Sequence, residues 1–245
     1  MTRTGIILPT FRAHPDDALQ AARVALAAGV DGVFCYDHIW PMGQPERPAL
    51  APFPILAALA AAPDIPATAG GGPFFGTLVA RVGLVPNEVL VGQFSALEHL
   101  APGRVVAALG TGDHLSKEEN LAYGVPFGSV ARRRSDLVAV ASTLRDQGLT
   151  VWVAGGPGGR TTEAREAGVS VNLWGADPGL VAGIVQAQEV PEVTWAGPAP
   201  ESDRQLREIV AGVADAGASW VVFGWGTDPS VLVAAAHDAT AGAHT

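Results

Sequence analysis

The chain has 245 residues, 48% of them hydrophobic and 16% charged, with 24 acidic against 15 basic side chains and a formal net charge of −9. That composition supports a large buried core and argues against disorder. It also argues against a general nucleic-acid or anionic-membrane surface, which needs clustered positive charge, while leaving room for an anionic small molecule held by backbone amides.

Cys35 is the single cysteine, so neither an internal disulfide nor a cysteine-based zinc site is expected, and its apolar neighbours predict a buried, inert thiol. The stretch from Met1 to Pro9 has too short an apolar run for a signal peptide. No stretch approaches the roughly 18 uninterrupted apolar residues of a membrane helix. A soluble, cytoplasmic protein is the expectation.

Strand-like and helix-like segments alternate along the chain. Thr4–Leu8 reads as a first strand closed by Pro9, and His14-Pro-Asp-Asp17 as a helix start with carboxylates at the positive end of the dipole. That helix carries Leu19, Ala22 and Leu26 on one face and stops at Gly29. Val33–Tyr36 is the second strand, with Asp37-His-Ile-Trp40 at its C-terminal end. A Pro-rich loop leads to a helix at Ile55–Ala62, and a third strand is predicted near Phe75–Val79. Glu88 to Leu100 is a helix with Leu90, Phe94 and Leu97 in register, ended by Pro102-Gly103.

Val105–Leu109 is an apolar fourth strand that runs into Gly110-Thr-Gly-Asp-His114 and a longer excursion to about Val130. The next helix carries Leu137, Val140, Ala141 and Leu144 and ends at Gly148. Val151–Ala154 is the fifth strand, followed by a glycine-rich loop, Gly155 to Thr162, and a short helix ending at Gly168. Ser170–Leu173, Glu192–Trp195 and Trp220–Phe223 complete eight strands, with helices around Leu206–Val213 and at Pro229–Thr240.

Units of about 31 residues suit a βα repeat. Ala28-Gly-Val30, Ala167-Gly-Val169 and Ala216-Gly-Ala218 repeat one logic, a helix closed by glycine before a short link into a Val-rich strand. The expected fold is therefore α/β, a (β/α)8 TIM barrel in one domain over residues 1–245, with an open doubly wound sheet as the alternative. In such a barrel the ligand site lies at the C-terminal strand ends. That rule gathers Thr10, Asp37, His38, Val79, Asp113, His114, the Gly155–Thr162 loop, Trp174 and Trp225 around one mouth.

Asp37-His38 has the makings of a general acid/base, because histidine titrates near neutrality and a carboxylate tunes it. A loop histidine bonded to backbone is the bland alternative. Free amides at the Gly155–Thr162 loop would favour a phosphate, with Arg160 adding charge, against the alternative of a plain flexible turn. Its spacing fits neither the Walker A nor the G-x-G-x-x-G pattern. The two Asp-His pairs, 37–38 and 113–114, raise a divalent metal as a further alternative, but no H-x-H follows the first strand.

Four stretches together make the chain resemble a known family. They are Val33-Phe-Cys-Tyr-Asp-His-Ile-Trp40, Gly76-Thr-Leu-Val-Ala-Arg-Val82, the run from Gln93 to Asp113, and Val153-Ala-Gly-Gly-Pro157, with Asn172-Leu-Trp-Gly175 in addition. The chain resembles the luciferase-like monooxygenase superfamily, most of all its branch using the deazaflavin coenzyme F420. The resemblance implies a luciferase-like barrel acting as an F420-dependent oxidoreductase on a small organic substrate, with FMN-dependent monooxygenation as the alternative. A metal-dependent hydrolase and a non-catalytic cofactor-binding protein stand behind these.

By the same resemblance, His38 and Asp113 are the proton-transfer residues. Asp37, Leu78, Val79, Thr111, Gly112, Ala154, Gly155, Gly156, Pro157 and Gly158 contact the cofactor, and the loop from Gly155 holds its phosphate. A non-proline cis peptide is expected at Leu78-Val79, and Trp40 either shields the ring or serves in packing. The acidic residue after Gly-Thr-Gly is an aspartate here, where relatives often carry glutamate. Homodimerisation is common in the family. The chain lacks the longer insertions after strands four and seven that shape the substrate pocket in many relatives.

Overall fold

The computed structural model describes residues 2–41, 43–65, 71–155, 159 and 161–242. The strands are β1 (Arg3–Ile7), β2 (Gly32–Cys35), β3 (Phe74–Arg81), β4 (Val105–Gly110), β5 (Thr150–Ala154), β6 (Ser170–Trp174), β7 (Val193–Gly197) and β8 (Trp220–Phe223). The helices among the described residues are α1 (Pro15–Ala27), α2 (Pro52–Ala60), α3 (Asn87–Leu100), α4 (His114–Ala122) and α5 (Val130–Asp146). They continue with α6 (Thr162–Ala167), α7 (Pro178–Ala187), α8 (Asp203–Asp215) and α9 (Pro229–Gly242).

All neighbouring strands pair in parallel, and β1 pairs with β8 through Gly5↔Val222, so the sheet closes into an eight-stranded barrel. Closure excludes the open doubly wound sheet. Helix α4 occupies the stretch that sequence patterning leaves as an excursion between the fourth strand and the next helix. In α4 the buried face is polar, Ser116, Glu119 and Asn120, so it shows no apolar stripe. No described helix is long and apolar enough to cross a membrane.

Side chains alternate across each strand, and the two faces build two cores. Outward residues such as Val33, Cys35, Ala107, Leu109 and Val153 join the helices. Inward residues fill the barrel: Ile7, Phe34, Leu78, Val106, Ala108, Trp152, Ala196, Trp220 and Val222. Phe34, Trp152 and Trp220 meet at ring distances of 5.5, 5.8 and 5.4 Å. They fit because neighbouring inward positions are empty. A Cβ added at Gly76 would lie 2.8 Å from the Phe34 ring and from the Val106 carbonyl oxygen. Three aromatics in one layer require such gaps, since interiors are packed to crystal density.

Strand β3 breaks this alternation at its C-terminal end. Thr77 pairs with Ala107 but Ala80 pairs with Leu109, so β3 spends one extra residue, and the Leu78-Val79 peptide is cis, as the resemblance implied. Consecutive residues Leu78 and Val79 consequently both face the barrel interior. Gly110 on β4 accommodates them, because a Cβ there would sit 2.7 Å from Val79 Cγ2.

Candidate active site

At the C-terminal rim of the barrel lies a cavity of about 350 Å³ lined by Phe11, Tyr36, His38, Leu78, Val79, Ala154, Gly155, Asn172 and Trp174. Its walls follow from the same alternation. Phe34 lies in the barrel, Tyr36 and His38 continue its phase on the chain leaving β2, and Asp37 between them points away. Trp152 leads to Ala154 on β5, and Asn172 to Trp174 on β6. Leu78 and Val79 contribute adjacent side chains only because of the bulge.

The cavity is mostly aromatic and apolar. Phe11 stacks on Tyr36 at 5.5 Å with an interplanar angle of 6°. Both rings stand edge-on to His38, at 6.1 and 6.4 Å, and Trp174 closes the side at 6.4 Å from Tyr36 while remaining 51% exposed. Burial pushes the Tyr36 phenol up to about 12, so it stays a neutral hydroxyl. The Asn172 amide donates to Thr194 Oγ1 at 2.9 Å.

Behind His38 lies a buried polar cluster. Glu119, on α4, accepts at Oε1 from His38 Nδ1 (2.6 Å) and at Oε2 from the Ile39 amide (2.7 Å) and Arg81 Nη2 (3.0 Å). Arg81 Nη1 donates to the Ser116 carbonyl at 3.1 Å, and the Arg81 amide donates to Asp37 Oδ2 at 2.9 Å. The Arg81 and Glu119 side chains are 3% and 1% exposed. Burial alone raises the Glu119 carboxyl, but the bonds from His38 and Ile39 and the charges of His38 and Arg81 outweigh it, and the group lies below its ordinary value. Asp37 goes the other way: burial raises it, and its bond to Arg81 and the nearby positive charges compensate only in part.

The residues expected at the site separate into groups. His38, Leu78, Val79, Ala154 and Gly155 line the cavity, while Asp37, Thr111, Gly112 and Asp113 do not. Asp113 is exposed and caps α4, its Oδ1 accepting from Ser116 N at 2.9 Å and Ser116 Oγ at 3.1 Å. Burial raises its carboxyl, but these bonds and the adjacent His114 bring it below the ordinary value. The Thr111 and Gly112 carbonyls both accept from Arg133 Nη1. Gly112 has φ 69°, and a Cβ there would meet Arg81 Cδ and Ser116 Cβ at 2.9 Å, so this loop makes room for the arginine behind His38. Trp40 packs 5.9 Å from Tyr123, away from the cavity lining. Gly156, Pro157, Gly158 and Arg160 lie outside the described residues.

Trp174, placed at the mouth by its strand end, lines the cavity together with Phe11, Tyr36 and Asn172, which were not singled out. Counting every second residue outward from the strands would have found Tyr36 and Asn172. Glu119 had no such signal, because Lys117-Glu-Glu-Asn120 reads as a solvated charge run. Among the described residues no group of three or more His, Cys, Asp or Glu side chains is placed to hold a metal ion. A larger cavity of about 610 Å³ opens at the opposite end of the barrel, near Arg23, Asp31 and Phe74. Its carboxylates are engaged, Asp31 by Thr4 and Asp64 by Arg23, and it lies away from the rim where barrels place their chemistry.

No protein-family model matches the sequence, and no curated protein matches it. Solved structures do. An F420-dependent secondary alcohol dehydrogenase in complex with an F420-acetone adduct superposes with a TM-score of 0.70 at 16% identity, over 96% of this chain and 97% of that one. A monooxygenase from Streptomyces bottropensis gives 0.68 at 14% identity, over 98% of each chain. A coenzyme F420-dependent tetrahydromethanopterin reductase from Methanopyrus kandleri gives 0.64 at 12% identity, over 96% and 97%. The chain has the fold of these F420-dependent enzymes and monooxygenases along nearly its whole length.

Proposed function

We propose that the chain is an F420-dependent oxidoreductase acting on a small, uncharged organic substrate at the barrel mouth. The observation that carries this reading is the rim cavity, in which an apolar bed of Leu78, Val79 and Ala154 faces aromatic walls and one titratable side chain, His38. Its volume of about 350 Å³ is in the range of small-ligand sites.

The lining fits a flat heteroaromatic ring. Leu78 and Val79 offer adjacent aliphatic surface, Gly155 contributes to the edge, and neither the aromatic walls nor the bed carries a charged side chain. Phe11, Tyr36 and Trp174 supply stacking surface and exclude water from the bed. A bound deazaflavin would supply hydride transfer at C5, chemistry that no side chain here provides. His38 would move the accompanying proton at Nε2, its Nδ1 being occupied by Glu119. We assign that role to His38 alone, because Asp113 lies outside the cavity lining and its Oδ1 caps α4. Phosphate binding is proposed for the loop that begins at Gly155.

FMN-dependent monooxygenation is the second reading, favoured by fold likeness to a monooxygenase almost as high as to the dehydrogenase. Titration of the purified protein with F420, followed by deazaflavin fluorescence with FMN as competitor, separates the two. Micromolar F420 binding without FMN competition supports the first reading, and tighter FMN binding overturns it. Binding without turnover on a panel of alcohols, ketones and enones, unaffected by His38→Ala, would instead indicate a non-catalytic cofactor-binding protein.

A further inference from the structure

The buried cluster behind His38 contains more hydrogen-bond information than a plain salt bridge. Glu119 receives three donors, and two of them, the Ile39 amide and the Arg81 guanidinium, converge on Oε2 at 2.7 and 3.0 Å. Neither can ever accept a hydrogen bond. The remaining oxygen, Oε1, lies 2.6 Å from His38 Nδ1. A carboxylate offers only acceptors, so this nitrogen must carry the hydrogen. We propose that Glu119 is a positioning residue that holds His38 as the Nδ1–H tautomer, leaving the Nε2 lone pair of the neutral ring as the site's proton acceptor.

Three structural features support a dedicated device over incidental packing. Glu119 comes from a helix 81 residues further along the chain and is fully buried, at a depth where carboxylates need specific partners. Arg81 fixes the carboxylate plane from the far side and is itself tied to the Ser116 carbonyl on the same helix. Gly112 leaves the space through which the arginine reaches it. Together they define which oxygen faces His38. Tautomer selection of this kind is how an orienting group acts on a histidine without touching the substrate.

The test follows from the donor count. In Glu119→Gln the amide oxygen must take the place of Oε2, where two fixed donors converge, so the NH2 group faces His38 Nδ1. That nitrogen must then accept, and the ring hydrogen moves to Nε2. Nitrogen-15 NMR of the imidazole, recorded on the whole protein at a pH high enough to give a neutral ring, reads this directly. The wild type is expected to show Nδ1 protonated and Nε2 pyridine-like, and Glu119→Gln the reverse. An Nε2–H tautomer in the wild type, a measurement that needs no variant, overturns the proposal. So does a variant whose tautomer is unchanged.

The consequence for turnover rests on the oxidoreductase reading. Under it, Glu119→Gln lowers kcat about 100-fold or more, the usual weight of one acid–base group, with KM held within about threefold. A fall confined to KM would overturn the positioning role. If the tautomer reverses as expected but the protein binds neither F420 nor FMN, the oxidoreductase reading fails and the tautomer assignment is upheld.

Discussion

Replacing Arg81 with methionine tests how the fold sustains a charged cluster beneath the rim of the candidate site. Methionine keeps most of the side-chain length and removes the guanidinium, so Glu119 loses its bond at 3.0 Å and the Ser116 carbonyl its bond at 3.1 Å. Both side chains of the pair are nearly inaccessible, at 3% and 1% exposure, so water cannot replace the lost donors without a local rearrangement. Breaking a buried ion pair from one side typically costs about 3–5 kcal/mol, because the surviving charge stays desolvated. That is a large share of the roughly 5–15 kcal/mol that stabilises a typical domain. At about 2–4 °C per kcal/mol for a chain of this size class, the midpoint should fall by about 6–20 °C.

The assay is urea unfolding at neutral pH with a thermal melt alongside, and Arg132→Ala serves as control. Arg132 pairs with Asp136 at 2.8 Å, but its side chain is 72% exposed, and such surface pairs are worth at most about 1 kcal/mol. If Arg81→Met costs no more than Arg132→Ala, the cluster is solvated or relaxes freely, and the reasoning about Glu119 as a fixed acceptor fails with it.

Other consequences follow from the same geometry. Asp37→Asn should gain on the wild type as pH rises through and above the ordinary carboxylate range. A raised folded-state pKa means that deprotonation disfavours the fold there, and asparagine can still accept from the Arg81 amide. Urea curves at pH 4 and pH 7 measure this, and a pH-independent difference would refute it. For the lowered carboxyl of Glu119 the sign is opposite: its stabilisation is present above the unfolded value and is lost as pH falls through the folded one. Glu119→Gln should therefore flatten the acid limb of the stability–pH curve, and an unchanged acid limb counts against it. Gly110→Ala pushes a methyl to within 2.7 Å of Val79 Cγ2 and should cost about 1–3 kcal/mol by overpacking while weakening ring binding at the cavity bed. Melting and the fluorescence titration check the two effects. Asp113→Ala should lose about 1 kcal/mol with its cap, whereas Asp113→Asn, an equally good cap, should keep both stability and turnover. A large loss of turnover in Asp113→Asn would return the acid–base role to this residue.

Much of the molecule is legible in its sequence. Short, continuously apolar runs with glycine-closed helices between them define the strands, and short βα units in succession allow few topologies. His38 was legible as the titratable group at a strand end, and Leu78, Val79, Ala154 and Gly155 through the resemblance. The barrel's closure through β1 and β8 was not, because pairing between the two ends of a chain leaves no local pattern. Nor was Glu119, since a carboxylate in a run of charged residues looks solvated until a helix with a buried polar face is packed over the strand ends. The cap made by Asp113 was not legible either: its position after Gly-Thr-Gly is local, but what its Oδ1 bonds to depends on where α4 begins. Local sequence thus determined the elements, their order and the end of the barrel at which the candidate site lies. Tertiary structure decided which polar groups meet there, because hydrogen-bond partners lie tens of residues apart and are specified only by the closed sheet.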